Sequence, residues 1–223
     1  MPLSEKPVMI ELPYHQGRIN GQIALIPGAT LFALVMHPHP HRGGNMRSHV
    51  VSELCSTLHA RGVSTLRFNF RPEAEPGAEL LELNAGDARA AAAHLAAASE
   101  SHKTLLLAGY SWGTVVASHV ATDIGAKALG LVSPVVGILG EAGFDKWKGP
   151  TFIITGDDDF VCSTQEVGAL KGGGDRDPEV VVLPGVDHFW KDGEAVSSAA
   201  SQLSDWLVRQ VTGESGVATT AGA

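Results

Sequence analysis

The segment LLLAGYSWGTVVASH, residues 105–119, leaves its chain little choice of fold. Leu105 to Ala108 is a short, continuously apolar run, the pattern of a strand buried on both faces of a parallel sheet. From Thr114 to Val120 the pattern is helical, with Val115, Val116 and His119 on one face. Between the two lie Gly109 and Gly113, spaced as G-x-S-x-G around Ser111. Residues without side chains let strand and helix approach closely, while the serine is pushed to the apex of a strained turn with its hydroxyl outward. An exposed, sharply presented alcohol at the carboxyl end of a buried strand is a candidate nucleophile.

The rest of the chain alternates in the same way. Val8–Pro13 and Ile19–Ile26 read as strands joined as a hairpin near Gly17, followed by an apolar strand over Leu31–Met36. A helix is expected over Ser48–Ala60, stopped at Gly62, then a strand over Ser64–Phe70 and an alanine-rich helix over Ala78–Ala98. Further strands are predicted at Ala128–Val136, Thr151–Thr155 and Val180–Leu183, and helices at Thr164–Leu170 and Val196–Val211. With the strand before Ser111 this makes eight. Alternation of this kind specifies an α/β fold, a mostly parallel sheet with helices on both faces and functional residues at the carboxyl ends of its strands. The 223 residues, 44% hydrophobic, suit one domain over 1–211. The small, polar end of the chain, 212–223, is too poor in apolar groups to pack and is expected to be disordered.

Charge and cysteine content exclude several functions. The net charge of −8, with no Lys/Arg run on any predicted face, argues against nucleic acid. No stretch approaches the roughly 20 apolar residues of a membrane span, and the first twelve residues lack the apolar middle of a signal peptide. The expectation is a soluble, cytoplasmic protein. Cys55 and Cys162 are too few for a disulfide framework and wrongly spaced for a metal knuckle; Cys55 falls on apolar helix positions and reads as core.

A serine hydroxyl attacks poorly until a base takes its proton, so Ser111 requires a histidine oriented by a carboxylate. LPGVDHFW places His188 just past the last strand, and IITGDDDF places Asp157, Asp158 and Asp159 just past the strand before it. Asp187 adjoins His188 in the chain, which suits a loop role better than a facing one. Acyl transfer also needs two N–H donors for the developing oxyanion, one of them the amide of Trp112. The other belongs to the loop after the third strand, HPHPHRGG, where Pro38 and Pro40 have no N–H to give and His39 or His41 does. Alternate residues of an extended segment point to opposite sides, so His37, His39 and His41 are not expected to converge on a metal. No metal and no cofactor are expected. His94 and His119 fall in helices, as packing or surface groups.

The glycine-flanked Ser111, the TGDDDF turn, the VDHFW loop and the order of eight strands resemble the α/β-hydrolase fold over residues 8–211. More narrowly, HPHPHRGGNM (37–46) and RFNFR (67–71) resemble the small lid-less hydrolases related to dienelactone hydrolase. The resemblance implies that the acid stands three residues after Gly156, at Asp159, and that His39 supplies the second oxyanion amide, with His41 as alternative. It implies a serine hydrolase acting on a small carboxylic ester or thioester; a peptidase or amidase on the same triad and a noncatalytic scaffold are the alternatives. Pro72 follows Arg71 where relatives carry a glycine-rich turn, so the rim is altered there: Glu73 and Glu75 either repel anionic substrates or are solvated loop charges. Pocket candidates are His41, Arg42, Arg71 and Trp190; the arginines either meet a substrate carboxylate or make structural pairs, and Trp112 and Trp190 either wall the pocket or fill the core. Residues 137–149 are too few for a lipase-type lid, so an open site is expected. The expected partner is a small acyl substrate, with neither nucleic acid nor membrane, and homo-oligomer formation is left open.

Overall fold

The computed structural model describes residues 4–98, 103–174 and 177–213. Its strands are β1 (Lys6–Glu11), β2 (Arg18–Ala24), β3 (Leu31–Met36), β4 (Ser64–Phe68), β5 (Thr104–Tyr110), β6 (Ala128–Val132), β7 (Thr151–Asp158) and β8 (Glu179–Asp187). They form one eight-stranded sheet in the order β1-β2-β4-β3-β5-β6-β7-β8. Only β2 runs against its neighbours β1 and β4; every pair from β4 to β8 is parallel. The helices are α1 (His49–Ala60), α2 (Ala78–Ala97), α3 (Trp112–Val120), α4 (Val136–Leu139), α5 (Thr164–Gly168) and α6 (Gly193–Thr212).

Period-two alternation along the central strands sorts their side chains into two cores. Leu34 and Met36 of β3, Leu107 of β5 and Leu129 and Leu131 of β6 pack with α2 and α3 on one face. Ala33 and Val35, Leu106 and Ala108, and Phe152 and Ile154 of β7 pack with α1 and α6 on the other. The alanine-rich α2 buries Ala85, Ala88 and Ala91, small side chains that let it lie close to its neighbours. Burial on both faces is why β5 reads as an unbroken apolar run. Both cysteines are buried with free thiols, and burial pushes each thiol up to about 12, leaving them inert.

The element types match the expectation; the boundaries move where apolar periodicity carries no signal. β7 continues through Asp157 and Asp158, and β8 runs on through Pro184 and Gly185 to Asp187, with a register shift between Gly156 and Asp158. The ladder resumes at Asp158 and Asp187 beyond a bulge in which Gly185 takes φ 67°, a conformation open to glycine. β6 ends early, at Val132, because the chain turns at Ser133 (φ 45°) into the single turn of α4. Between β6 and β7 stand only α4 and a 3-10 turn at Phe144–Lys146, so no lid is inserted there. α6 begins at Gly193, capped by the Asp192 carboxylate accepting the Glu194 N–H, and closes at Thr212, followed by Gly213. The remainder of the predicted tail, 214–223, lies outside the described residues. Among the described residues no helix is long and apolar enough to cross a membrane.

Candidate active site

β5 lies near the middle of the sheet, and its end is closed by backbone contact. A Cβ at Gly109 would lie 2.4 Å from the Gly113 carbonyl oxygen, and one at Gly113 the same distance from that of Met36. No side chain fits at either position, so β3, β5 and α3 meet there backbone to backbone. Ser111 is left at φ 54°, ψ −118°, a conformation that costs a non-glycine residue about 1–3 kcal/mol and that surrounding structure must hold. Its N–H donates to the Val132 carbonyl at 3.0 Å, which fixes the apex against β6.

The ends of β7 and β8 bring the partners. Ser111 Oγ lies 3.0 Å from His188 Nε2. His188 Nδ1 lies 2.9 and 3.0 Å from the two oxygens of Asp159, whose side chain is fully buried. A carboxylate facing Nδ1 keeps the proton on that nitrogen, so Nε2 is the unprotonated one and accepts from the serine hydroxyl. Asp159 also accepts the N–H groups of Val161 (2.9 Å) and Cys162 (3.1 Å) and the Thr155 hydroxyl (3.3 Å). Burial raises the Asp159 carboxyl, but the bonds from His188, from the Ser133 hydroxyl and from the Val161 N–H outweigh it and hold the group below its ordinary value. The carboxylate is therefore charged where it lies. Tyr110 donates its hydroxyl to the His188 carbonyl at 2.6 Å, tying the histidine loop back to the end of β5.

The other two aspartates of the run do different work. Asp157 accepts the Gly185 N–H at 2.6 Å, and Asp158 is exposed in register with Asp187. Asp187 pairs with Lys191 and accepts the Phe189 N–H, shaping its loop.

On the opposite side of Ser111, the loop after β3 is anchored by His37. Its Nε2 accepts the Phe70 N–H at 2.9 Å, so Nδ1 carries the proton and donates to the Pro38 carbonyl at 2.6 Å. Burial pushes the His37 imidazole down to about 4, which keeps it neutral. His39 follows, with its ring on Trp112 at a centroid distance of 4.9 Å. Among the described residues neither the His39 nor the Trp112 N–H has a backbone acceptor. The serine opens into a cleft of about 730 Å³ whose lining includes His39, Arg42, Arg47, Tyr110, His188 and Phe189.

A family model described as an alpha/beta hydrolase domain matches residues 33–212, from the third strand to the end of the last helix. The chain belongs to that family. Among its relatives, an uncharacterized protein of Rickettsia prowazekii is 29% identical over 86% of this chain and 85% of its own length. An alpha-beta serine hydrolase homologue from Coxiella burnetii is 28% identical, with a TM-score of 0.71 over 92% of this chain and 97% of its own. Dienelactone hydrolase from Anabaena variabilis, 17% identical, shares the fold with a TM-score of 0.76 over 94% of this chain and 99% of its own.

In this alpha/beta hydrolase the pocket candidates divide. Arg42 lines the cleft, as does Arg47, and neither has a carboxylate partner among the described residues. Arg71 does not line it: its Nε donates to the buried Asp87 at 2.6 Å, and its N–H to the same carboxylate at 2.9 Å. His41 is turned away, its Nε2 bonded to the Pro72 carbonyl at 2.6 Å. Trp190 is not a wall either. A left-handed backbone (φ 51°) turns its ring inward to 1% exposure, where its Nε1–H donates to the Ser133 hydroxyl that in turn reaches Asp159. Trp112 is likewise interior, its Nε1–H donating to Asn84, which donates to the Arg71 carbonyl. Glu73 and Glu75 are exposed on the neighbouring loop, outside the cleft lining. The rings of His39 and His41 lie 5.5 Å apart, His37 is bonded away from them to Phe70 and Pro38, and among the described residues no group of three or more His, Cys, Asp or Glu is placed to hold a metal ion.

Sequence reasoning missed Tyr110, Ser133, Asn84, Arg47 and Phe189. Tyr110 carried a signal, as the residue that precedes Ser111. Ser133 and Asn84 act through contacts between distant segments, and Arg47 and Phe189 reach the cleft only once their loops are folded, none of which a local pattern announces.

Proposed function

We propose that this alpha/beta hydrolase is a serine esterase that cleaves small carboxylic esters, and thioesters by the same route, through an acyl-enzyme. Ser111 is the nucleophile, His188 the proton carrier and Asp159 the group that orients and stabilises the imidazole. The reading is carried by one observation: a single file of contacts from Ser111 Oγ to His188 Nε2 at 3.0 Å and from His188 Nδ1 to Asp159 at 2.9 Å.

His188 Nε2 takes the hydroxyl proton as Ser111 Oγ bonds to the carbonyl carbon, and the carbonyl oxygen becomes an oxyanion. The amides of Trp112 and His39 are the donors for that charge, and each such donor contributes about 10²–10³ in turnover. The carbon–oxygen bond to the alcohol then breaks, and the alcohol leaves with the proton from His188. Water repeats the sequence: it gives a proton to His188, attacks the acyl carbon and frees the acid, and Ser111 regains its proton. The lid-less cleft suits short or flexible acyl groups.

A panel of 4-nitrophenyl esters, acyl thioesters and aminoacyl amides tests the reading. Wild type turns over esters fastest and Ser111→Ala turns over none. Faster cleavage of amides than of esters makes the protein an amidase, and turnover that survives Ser111→Ala removes the acyl-enzyme altogether.

A further inference from the structure

Five of the seven phenylalanines, Phe32, Phe68, Phe70, Phe144 and Phe152, are buried, at most 4% exposed. The remaining two are Phe160, 72% exposed, and Phe189, 54% exposed. Both flank the proton carrier. Their ring centroids lie 5.6 and 6.0 Å from the His188 ring and 5.7 Å from each other. Phe160 directly follows Asp159 and Phe189 directly follows His188, so the pair is fixed to the same loops as the candidate triad. An exposed aromatic ring forgoes the gain of burial, and here two such rings meet beside His188: Phe189 lines the cleft, and Phe160 stands behind it, outside the lining.

The chemistry of the step identifies what covers them. The leaving alcohol must take its proton from His188 Nε2, so its oxygen lies against the imidazole edge and its carbon portion extends away from Ser111 past that ring. Phe189 lines the cleft beside that ring, and Phe160 packs against both His188 and Phe189. The acyl portion is tied to Ser111 Oγ, with its carbonyl oxygen toward the Trp112 and His39 amides on the other side of the cleft.

Resting on the esterase reading above, we infer that Phe160 and Phe189 form the subsite for the alcohol portion of the substrate, and that this portion is aromatic. Aromatic rings in the tilted and edge-to-face arrangements seen here gain from a further ring at similar spacing. The preferred substrate class is thus an ester of an aryl or arylmethyl alcohol with a small acid.

The test compares benzyl acetate, cyclohexylmethyl acetate and methyl acetate, whose parent alcohols are of similar acidity, so that kcat/KM reports contact rather than leaving-group reactivity. Benzyl acetate is expected to exceed methyl acetate by about tenfold and cyclohexylmethyl acetate by a smaller factor. In the Phe160→Ala/Phe189→Ala double variant the benzyl-to-methyl ratio falls about fivefold or more, while the ratio of methyl 3-phenylpropanoate to methyl acetate, which probes the acyl side, stays as in wild type. Methyl acetate turnover without a benzyl preference, or a ratio the double variant leaves unchanged, overturns the subsite and leaves the esterase reading standing. A change in the acyl-side ratio instead overturns the assignment to the alcohol. A dimer lost in the double variant on sedimentation, with the benzyl ratio intact, assigns the pair to contact between copies of the chain and overturns the subsite as well. Turnover of none of these esters overturns the subsite whether or not Ser111 reacts with a fluorophosphonate; absence of that reaction also overturns the esterase reading beneath it.

Discussion

On one side of the Ser111 hydroxyl, where β3 runs into the His37–Gly44 loop, position is set by neutral groups: backbone against backbone at Gly113 and a buried imidazole bonded through both nitrogens. On the other, where β7 and β8 end, it is set by a buried carboxylate with five bonded neighbours, among them His188 and the Ser133 hydroxyl that Trp190 holds. The first side has no slack, because a carbonyl cannot move away from an added methyl group without dragging a central strand. The second is a set of directional contacts from three segments. Steric closure thus fixes Ser111, and charge fixes His188.

Asp159→Asn attacks the charged side and carries the largest effect. The amide places N–H groups where Nδ1–H now donates, which favours the wrong imidazole tautomer. Turnover on a 4-nitrophenyl ester is expected to fall about 10³–10⁴-fold with an unchanged circular dichroism spectrum. A loss below tenfold would place the orienting group elsewhere.

Gly113→Ala attacks the steric side. Its Cβ would sit 2.4 Å from the Met36 carbonyl oxygen, so the expected cost is about 3 kcal/mol or more, read from urea unfolding. Wild-type stability in this variant would mean that the elbow is not closed by contact.

Acid separates the two sides by window. His37 is held at about 4 against an ordinary 6.5, so between those values the unfolded chain binds a proton that the folded chain refuses. Stability therefore falls as the pH drops from 6.5 to 4, by about 3 kcal/mol from this group. Asp159 behaves oppositely: its native value is depressed, so its contribution is intact above the ordinary carboxylate value near 4 and is lost only as the pH falls further through the native value. The stability gap between wild type and His37→Gln should narrow between pH 6.5 and pH 4, and the gap between wild type and Asp159→Asn only below that range. A His37→Gln gap that stays constant with pH contradicts the buried neutral imidazole.

Tyr110→Phe is the mildest change. It deletes one 2.6 Å bond to the His188 carbonyl and leaves the triad contacts themselves. Loss of about 1 kcal/mol in stability is expected, with a several-fold loss in kcat and little change in KM.

The same division governs what could be read from the sequence. The elbow is legible at Gly109 and Gly113 because close approach demands glycine at that spacing, and burial of the sheet on both faces is legible because β3 and β5 read as unbroken apolar runs. The charged side is legible only as residue types. Of three consecutive aspartates, Asp157 and Asp158 end β7 exposed and Asp159, just past the strand, is buried against His188; resemblance rather than pattern singled it out. Trp190 and Arg71 were pocket candidates because a large aromatic and a cation near a site invite that role. Their partners, Ser133 and Asp87, stand 57 and 16 residues away, and only the folded chain shows that the contacts are made. Phe160 and Phe189 gave no signal for a like reason, since a phenylalanine is buried more often than exposed.

The central claim is that His188 activates Ser111, and the rate of fluorophosphonate labelling reads this without any choice of substrate. At pH 7.5 wild type should be labelled on Ser111 alone, Ser111→Ala not at all, and His188→Ala at least about 10³-fold more slowly while remaining folded. Labelling of His188→Ala at the wild-type rate, or of wild type at a residue other than Ser111, would contradict it.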